Sequence, residues 1–288
     1  VADINLNPPC LLPLFHALSH LSLARFAMVW TAGSFVLLFA TVAMLLWNRP
    51  DMQHRQVLWL LLARPVFETL WSGQVYFLLF FFSALALVCA ERRRWLGAAF
   101  AIGLVVAIKP TMIFWPLFLF VGNYRRLALH AVVIAGAVSI APLPFYGVGV
   151  YRAWLVAVLH DNHWLLPSDI AIPAIFARHG MHLVGLGLAA AVTILLCWTI
   201  RKKKLDIYAI SGIGLCAGIL CAPLAWYDYV LAVAPWFAAQ HWGLAATLVA
   251  LALMLPPFAV FPPIGYFAAI CLMTSLFLIR PADQLTHA

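Results

Sequence analysis

Between Trp95 and Gly122 the chain carries one charged residue, Lys109, in a stretch that is otherwise almost wholly apolar. Basic clusters close it at both ends, Arg92-Arg93-Arg94 before and Arg125-Arg126 after. Backbone N–H and C=O groups in hydrocarbon have no water to bond, so such a segment has to be helical. A lysine inside it is costly, and an ionisable residue placed this way is by default a functional-site hypothesis.

The same pattern runs through the whole chain of 288 residues, which is 66% hydrophobic and 9% charged. Soluble domains carry about 25% charged residues. The reading is an all-α, polytopic membrane protein. A single integral-membrane domain is expected over residues 1–288, with about 9–10 transmembrane or half-length helices around an outward-facing cavity. The net charge of +8 does not point to nucleic acid. Twelve of the 17 basic residues, namely Arg49, Arg55, Arg92–Arg94, Arg125–Arg126, Arg201–Lys204 and Arg280, fall in loops assigned to one side. That is the positive-inside pattern. The six cysteines lie almost entirely in apolar runs without metal-ligand spacing and read as small buried residues. The chain begins with Val1 and no signal peptide precedes it, so a missing amino terminus is expected.

Taken in order, residues 10–24 form a short apolar segment and Phe26–Trp47 a clear span. Val57–Leu70 is broken by Arg64-Pro65, and Val75–Ala90 is an aromatic-rich span. The stretch around Lys109 divides into Trp95–Ile108 and Thr111–Gly122, roughly 21 and 18 Å long as helices. Pro110 disfavours αR at the residue before it. A hairpin of two short helices puts both basic clusters on the inner side and Lys109 at the outer tip, as the positive-inside rule favours. Leu127–Tyr146 then returns outward, residues 147–182 read as a long polar-containing outer loop, and Leu183–Ile200 goes back in. Ile207–Ala222, Val230–Ala239, Gly243–Leu255 and Pro263–Ile279 complete the chain. No internal repeat of the transporter kind is visible.

Several strings in this order resemble glycosyltransferase family 87, integral-membrane enzymes that use polyprenyl-phosphate sugars. They are LNPPCLLPLFHAL with ARFAMVW, GQVYFLL, the Lys-Pro hairpin from Arg92 to Arg126, YRAWL, and APLAWYDYVLAVAPW. Asn7 stands where the family usually has tyrosine. The resemblance implies a GT-C-like fold and a hexosyltransferase, mannosyltransferase-like. Its partners would be a polyprenyl-phosphate sugar donor, a lipid or glycan acceptor and membrane lipids. It also implies a multi-pass place in the cell (inner) membrane with the site facing the periplasm or exterior. Family members carry an acid upstream of the Pro-Pro segment, and that acid is expected to be absent here.

Each candidate has a functional and a plain reading. Lys109 binds the donor phosphate or snorkels to the interface. Asp228 is the base that takes the acceptor proton, or a loop acid capping the next helix; Tyr227 beside it is a donor-binding candidate. Gln74 bonds sugar or phosphate, or starts a helix after a turn. Arg152 and Arg178 pair with phosphate or anchor at the interface. His160, Asp161 and His163, and likewise His179 and His182, have weak metal spacing without a third fixed ligand. No cofactor is required, and a divalent metal is optional. Asp3 reads as a chain-end residue. A transporter or flippase of a lipid-linked or small anionic solute is the alternative from a different class, and a non-catalytic membrane scaffold is a third.

Overall fold

The computed structural model describes residues 7–160, 169–255 and 263–279, and these form helices joined by short turns. The first segment is a 3₁₀ turn, Pro9–Leu11, running into α1 (Leu12–Leu18). Next come α2 (Leu23–Asn48), α3 (His54–Leu62), α4 (Arg64–Ser72) and α5 (Tyr76–Glu91). The central hairpin is α6 (Trp95–Ile108), α7 (Phe114–Val121) and the returning α8 (Arg125–Ile140). Then follow α9 (Leu143–His160), α10 (Ile172–Ala177), α11 (His182–Lys203), α12 (Ile207–Leu220), α13 (Val230–Ala238), α14 (Leu244–Ala252) and α15 (Pro263–Ile279).

Proline and glycine set most of the breaks. Pro65 sits in the first turn of α4, and Gly73, with φ 64°, closes it in the left-handed region. That backbone is cheap only for glycine. Among the described residues α2 and α11 alone are long and apolar enough to span a bilayer as single straight helices. The remainder work as shorter apolar helices packed on one another. Both long helices present many apolar side chains outward, among them Leu23, Val36, Trp47, Leu183 and Ile194. A bilayer covers such faces; water does not.

The bundle has two distinct ends. Asn48, Arg49, Glu91, Arg92, Tyr124 and Asp206 line one cavity of about 1060 Å³. The turns before α6 and before α8 therefore lie at the same end, and α6 and α7 form the expected hairpin. The opposite end holds Lys109. Close packing carries α7 against α12. A Cβ at Gly214 would sit 2.8 Å from the Trp115 Cα, and one at Gly218 would meet Met112 and Thr111. Small residues let apolar helices approach this closely when hydrophobic drive between them is weak. The interior between α5 and α13 carries its own polar contact. Trp236 Nε1 donates to Ser83 Oγ at 3.0 Å, and Ser83 Oγ donates to the Ala232 carbonyl.

One expectation is corrected. The segment from residue 147 is not an irregular loop, because α9 continues through it to His160 and α10 follows. The span read as Leu127–Tyr146 instead stops at Ile140, and α9 leaves at 93° to α8. Pro142 and Pro144 cannot continue the helix of α8. Gly147, at φ 71°, takes up a second turn of the backbone. Beyond it Val148, Leu155, Val156 and Leu159 are exposed, so the apolar content that sustains α9 faces outward.

Candidate active site

Lys109 lies at a break built by its neighbour. Pro110 excludes αR at the residue before it, and Lys109 is extended, with φ −136° and ψ 92°. α6 ends at Ile108, and a 3₁₀ turn, Pro110–Ile113, leads into α7. The lysine is 5% exposed. Its Nζ donates to Asn7 Oδ1 at 3.1 Å. It also faces the rings of Tyr76 at 5.1 Å, Tyr229 at 5.3 Å and Trp226 at 6.0 Å. A desolvated cation–π contact is worth about 2 kcal/mol, whereas burying an ammonium costs several kcal/mol. Rings and one amide oxygen hold the ammonium in place without supplying a counter-charge in contact with it.

The rings come from distant segments. Tyr76 opens α5, and Trp226 and Tyr229 belong to the connection from α12 to α13. That connection contains a 3₁₀ turn, Tyr227–Tyr229, with Asp228 at its centre. Asp228 is 7% exposed, and its Oδ1 has no hydrogen-bond partner among the described residues. Burial is the main force raising its pKa, and the negative charge of Glu68 adds to it. The cations Arg64 and Lys109 pull the other way, and the carboxyl settles at about 8.

A second buried acid pins this connection. Asp169 Oδ1 accepts from Ala171 N at 3.0 Å and from Ala225 N at 3.2 Å. Ile170 N donates to the Ala225 carbonyl at 3.0 Å, and Arg178 Nη1 donates to the Asp169 carbonyl at 2.8 Å. The bond from Asp169 to the amide two residues on is an Asx turn. Asp169 is fully buried, and its Oδ2 has no partner among the described residues. Burial raises its pKa to about 7 against the pull of those two amides and of Arg178. Trp226 Nε1 and Thr111 Oγ1 are likewise buried without a hydrogen-bond partner among the described residues. Native interiors hold few such atoms, and each calls for an explanation.

The structure brings together Lys109, Asp228 and Tyr227. The Tyr227 ring lies 5.4 Å from that of Tyr266, and its hydroxyl bonds Glu68. Gln74 lies two residues before the cage ring Tyr76 and makes no hydrogen bond to Lys109 or Asp228 among the described residues. It is half-buried and lines an apolar groove of about 210 Å³ with Leu14, Trp30, Gly33 and Leu78. Arg178 is used in tethering Asp169, and Arg152 is exposed on α9. His179 is exposed and His182 opens α11. Asp3, Asp161, Asn162 and His163, with the side chain of His160, lie outside the described residues. Sequence reasoning missed the cage rings Tyr76, Trp226 and Tyr229, and did not single out Asp169. The available signal for Asp169 was an Asp two residues before Ala171, just ahead of the proline-started helix α10.

The profile of glycosyltransferase family 87 matches residues 5–211, more than half of the chain. The chain belongs to glycosyltransferase family 87. No curated protein and no solved structure gives a significant match. Membership in family 87 makes it a membrane glycosyltransferase. The matched segment includes Tyr76, Lys109 and Asp169, while Trp226, Asp228 and Tyr229 lie beyond its end. In this family 87 chain the lysine cage is thus completed by residues outside the matched segment.

Proposed function

We propose that this family 87 member transfers a hexose, mannose-like, from a polyprenyl-phosphate donor to a lipid or glycan acceptor. The reading rests on one observation: Lys109 and Asp228, a buried ammonium and a buried carboxyl, share a ring-lined site at the end of the bundle opposite Arg49 and Arg92. The donor is a phosphodiester. When the bond from the anomeric carbon to the phosphate oxygen breaks, its electron pair goes to that oxygen and the phosphate gains negative charge. A fixed cation with no counter-charge in contact among the described residues favours that state over the ground state, which is the role of Lys109. The acceptor hydroxyl oxygen forms the new bond to the anomeric carbon. Asp228 takes the hydroxyl proton, provided it lies within hydrogen-bond reach of it. Gln74 borders the apolar groove beside α2, and a prenyl chain matches the lining of that groove. By the positive-inside rule the arginine end faces the cytoplasm of the cell (inner) membrane, and the lysine end faces the periplasm or exterior. The chemistry as written needs no cofactor.

The test uses membranes containing the full-length protein, radiolabelled polyprenyl-phosphate mannose, and lipid and glycan acceptors. Labelled acceptor above the vector control is the expected result. No labelled product from any acceptor, together with uptake of an anionic solute into vesicles, would replace this reading with a transporter.

A further inference from the structure

We propose that the cavity on α4, the helix packed on the turn that carries Asp228, is the acceptor subsite and that it holds a pyranose ring of the acceptor; this rests on the transferase reading above. α4 turns Pro65, Val66 and Thr69 inward. It presents Phe67 and Trp71 outward, 46% and 91% exposed. With Arg64, Glu68 and Leu70 these line a cavity of about 430 Å³. A pyranose has an apolar C–H face and a rim of hydroxyls. Aromatic rings supply a rigid surface for the first. A guanidinium and a carboxylate supply fixed donors and acceptors for the second.

Arg64 and Glu68 form an ion pair one helical turn apart, which holds both heads at the cavity wall. Glu68 also reaches inward to Tyr227, and α4 packs on the turn that carries Asp228. Asp228 is therefore shared by two neighbourhoods, the ring cage of Lys109 and the Arg64–Glu68 pair. Group transfer needs such a division. The donor phosphate takes the caged cation, and the acceptor hydroxyl arrives along α4 at the carboxyl that accepts its proton. A tryptophan serving only as an interface anchor has no reason to affect acceptor affinity.

The test uses the full chain in lipid nanodiscs with two photoreactive probes, methyl mannoside and dodecyl mannoside, each carrying a diazirine. Label competed by unlabelled mannoside is expected within residues 64–72. Stronger labelling by the methyl probe marks a soluble glycan acceptor, and stronger labelling by the dodecyl probe a glycolipid. Trp71→Ala should raise the acceptor KM about tenfold and leave the donor KM within about twofold, and Trp71→Phe should restore most of the loss. Label confined to other segments, an unchanged acceptor KM, or an equal rise in both KM values would overturn the proposal. Competed label on α4 with no transfer from any lipid donor would leave the sugar site standing and remove the transferase reading.

Discussion

The two ends of the bundle hold the same kinds of charge under opposite conditions. At the arginine end, Arg49 meets Glu91 at 3.3 Å and donates to the Ala239 carbonyl at 3.0 Å, and Arg92 donates to Asn48 at 2.9 Å. Asn48 in turn donates to Glu91. These heads neutralise one another, and the Arg49 and Glu91 side chains keep 17% and 20% exposure. At the lysine end, Lys109 has an amide oxygen and ring faces, while Asp228 and Asp169 each leave one carboxyl oxygen without a partner among the described residues. Paired charge near water holds a helix end in place. Buried ionisable groups without a contacting counter-ion cost free energy that the fold does not recover by itself, and such groups cluster where a ligand completes them.

The largest effect should separate the ends outright. Lys109→Ala should lower transfer at least about 100-fold, the usual cost of losing one fixed group that stabilises the transition state. Arg126→Ala, at an exposed position of the other end, should stay within about twofold, as surface changes do. Lys109→Arg should not rescue, because a planar guanidinium is not a compact point charge and does not fit the same cage. Initial rates normalised to folded protein in the membrane decide the matter. Equal losses from Lys109→Ala and Arg126→Ala would mean that overall charge, not the cage, is what matters.

The next effect concerns Asp228. Asp228→Asn should reduce kcat about 100-fold, within the usual range for general-base catalysis. The carboxyl must be ionised to accept a proton, and its pKa stands at about 8. The wild-type rate should therefore rise with pH toward about 8 and fall again above it, because burial also pushes the Lys109 ammonium down to about 8 and the cation is lost there. Stability due to Asp228 should move against the rising limb: the folded state keeps a proton that the unfolded chain releases near pH 3.9, so this group's contribution declines as pH rises from there to about 8. Glu68 is a negative neighbour that raises this pKa, so Glu68→Gln should shift the rising limb of the pH–rate profile to lower pH. A limb that does not move on Glu68→Gln would detach Asp228 from the chemistry.

Much of the fold could be read from local signals. The runs Val230–Ala239 and Pro263–Ile279 lie within a residue of α13 and α15, and the Lys109-Pro110 break falls where the structure turns. Apolar length and proline act on adjacent residues, so the chain displays them. α9 was hidden because its polar residues and Gly147 imitate a loop, and its helical nature rests on its exposed apolar face. The site was half legible. Lys109 and Asp228 stand out as charges among apolar neighbours. Their company does not, because Asn7 is 102 positions from Lys109 and Ala225 is 56 from Asp169. Nothing local marks Tyr76 or Trp226 as cage walls and not as one more pair of interface aromatics.

The smallest effect sharpens the comparison from the arginine end. A double-mutant cycle on Arg49→Ala and Glu91→Ala should return a coupling of about 1 kcal/mol, the upper range for a solvent-accessible ion pair. The single variants should unfold somewhat more readily, since Arg49 also holds the Ala239 carbonyl beyond α13 and Glu91 also holds Asn48 at the end of α2. Transfer per folded molecule should remain near wild type in all three variants. Thermal unfolding in nanodiscs at low and high salt measures the coupling, which should shrink as salt rises because both partners are reached by solvent. A salt-independent coupling of several kcal/mol, or a loss of transfer without loss of stability, would show that this end is no passive anchor. The contrast between paired and unpaired charge would then not be what divides anchoring from chemistry in this molecule.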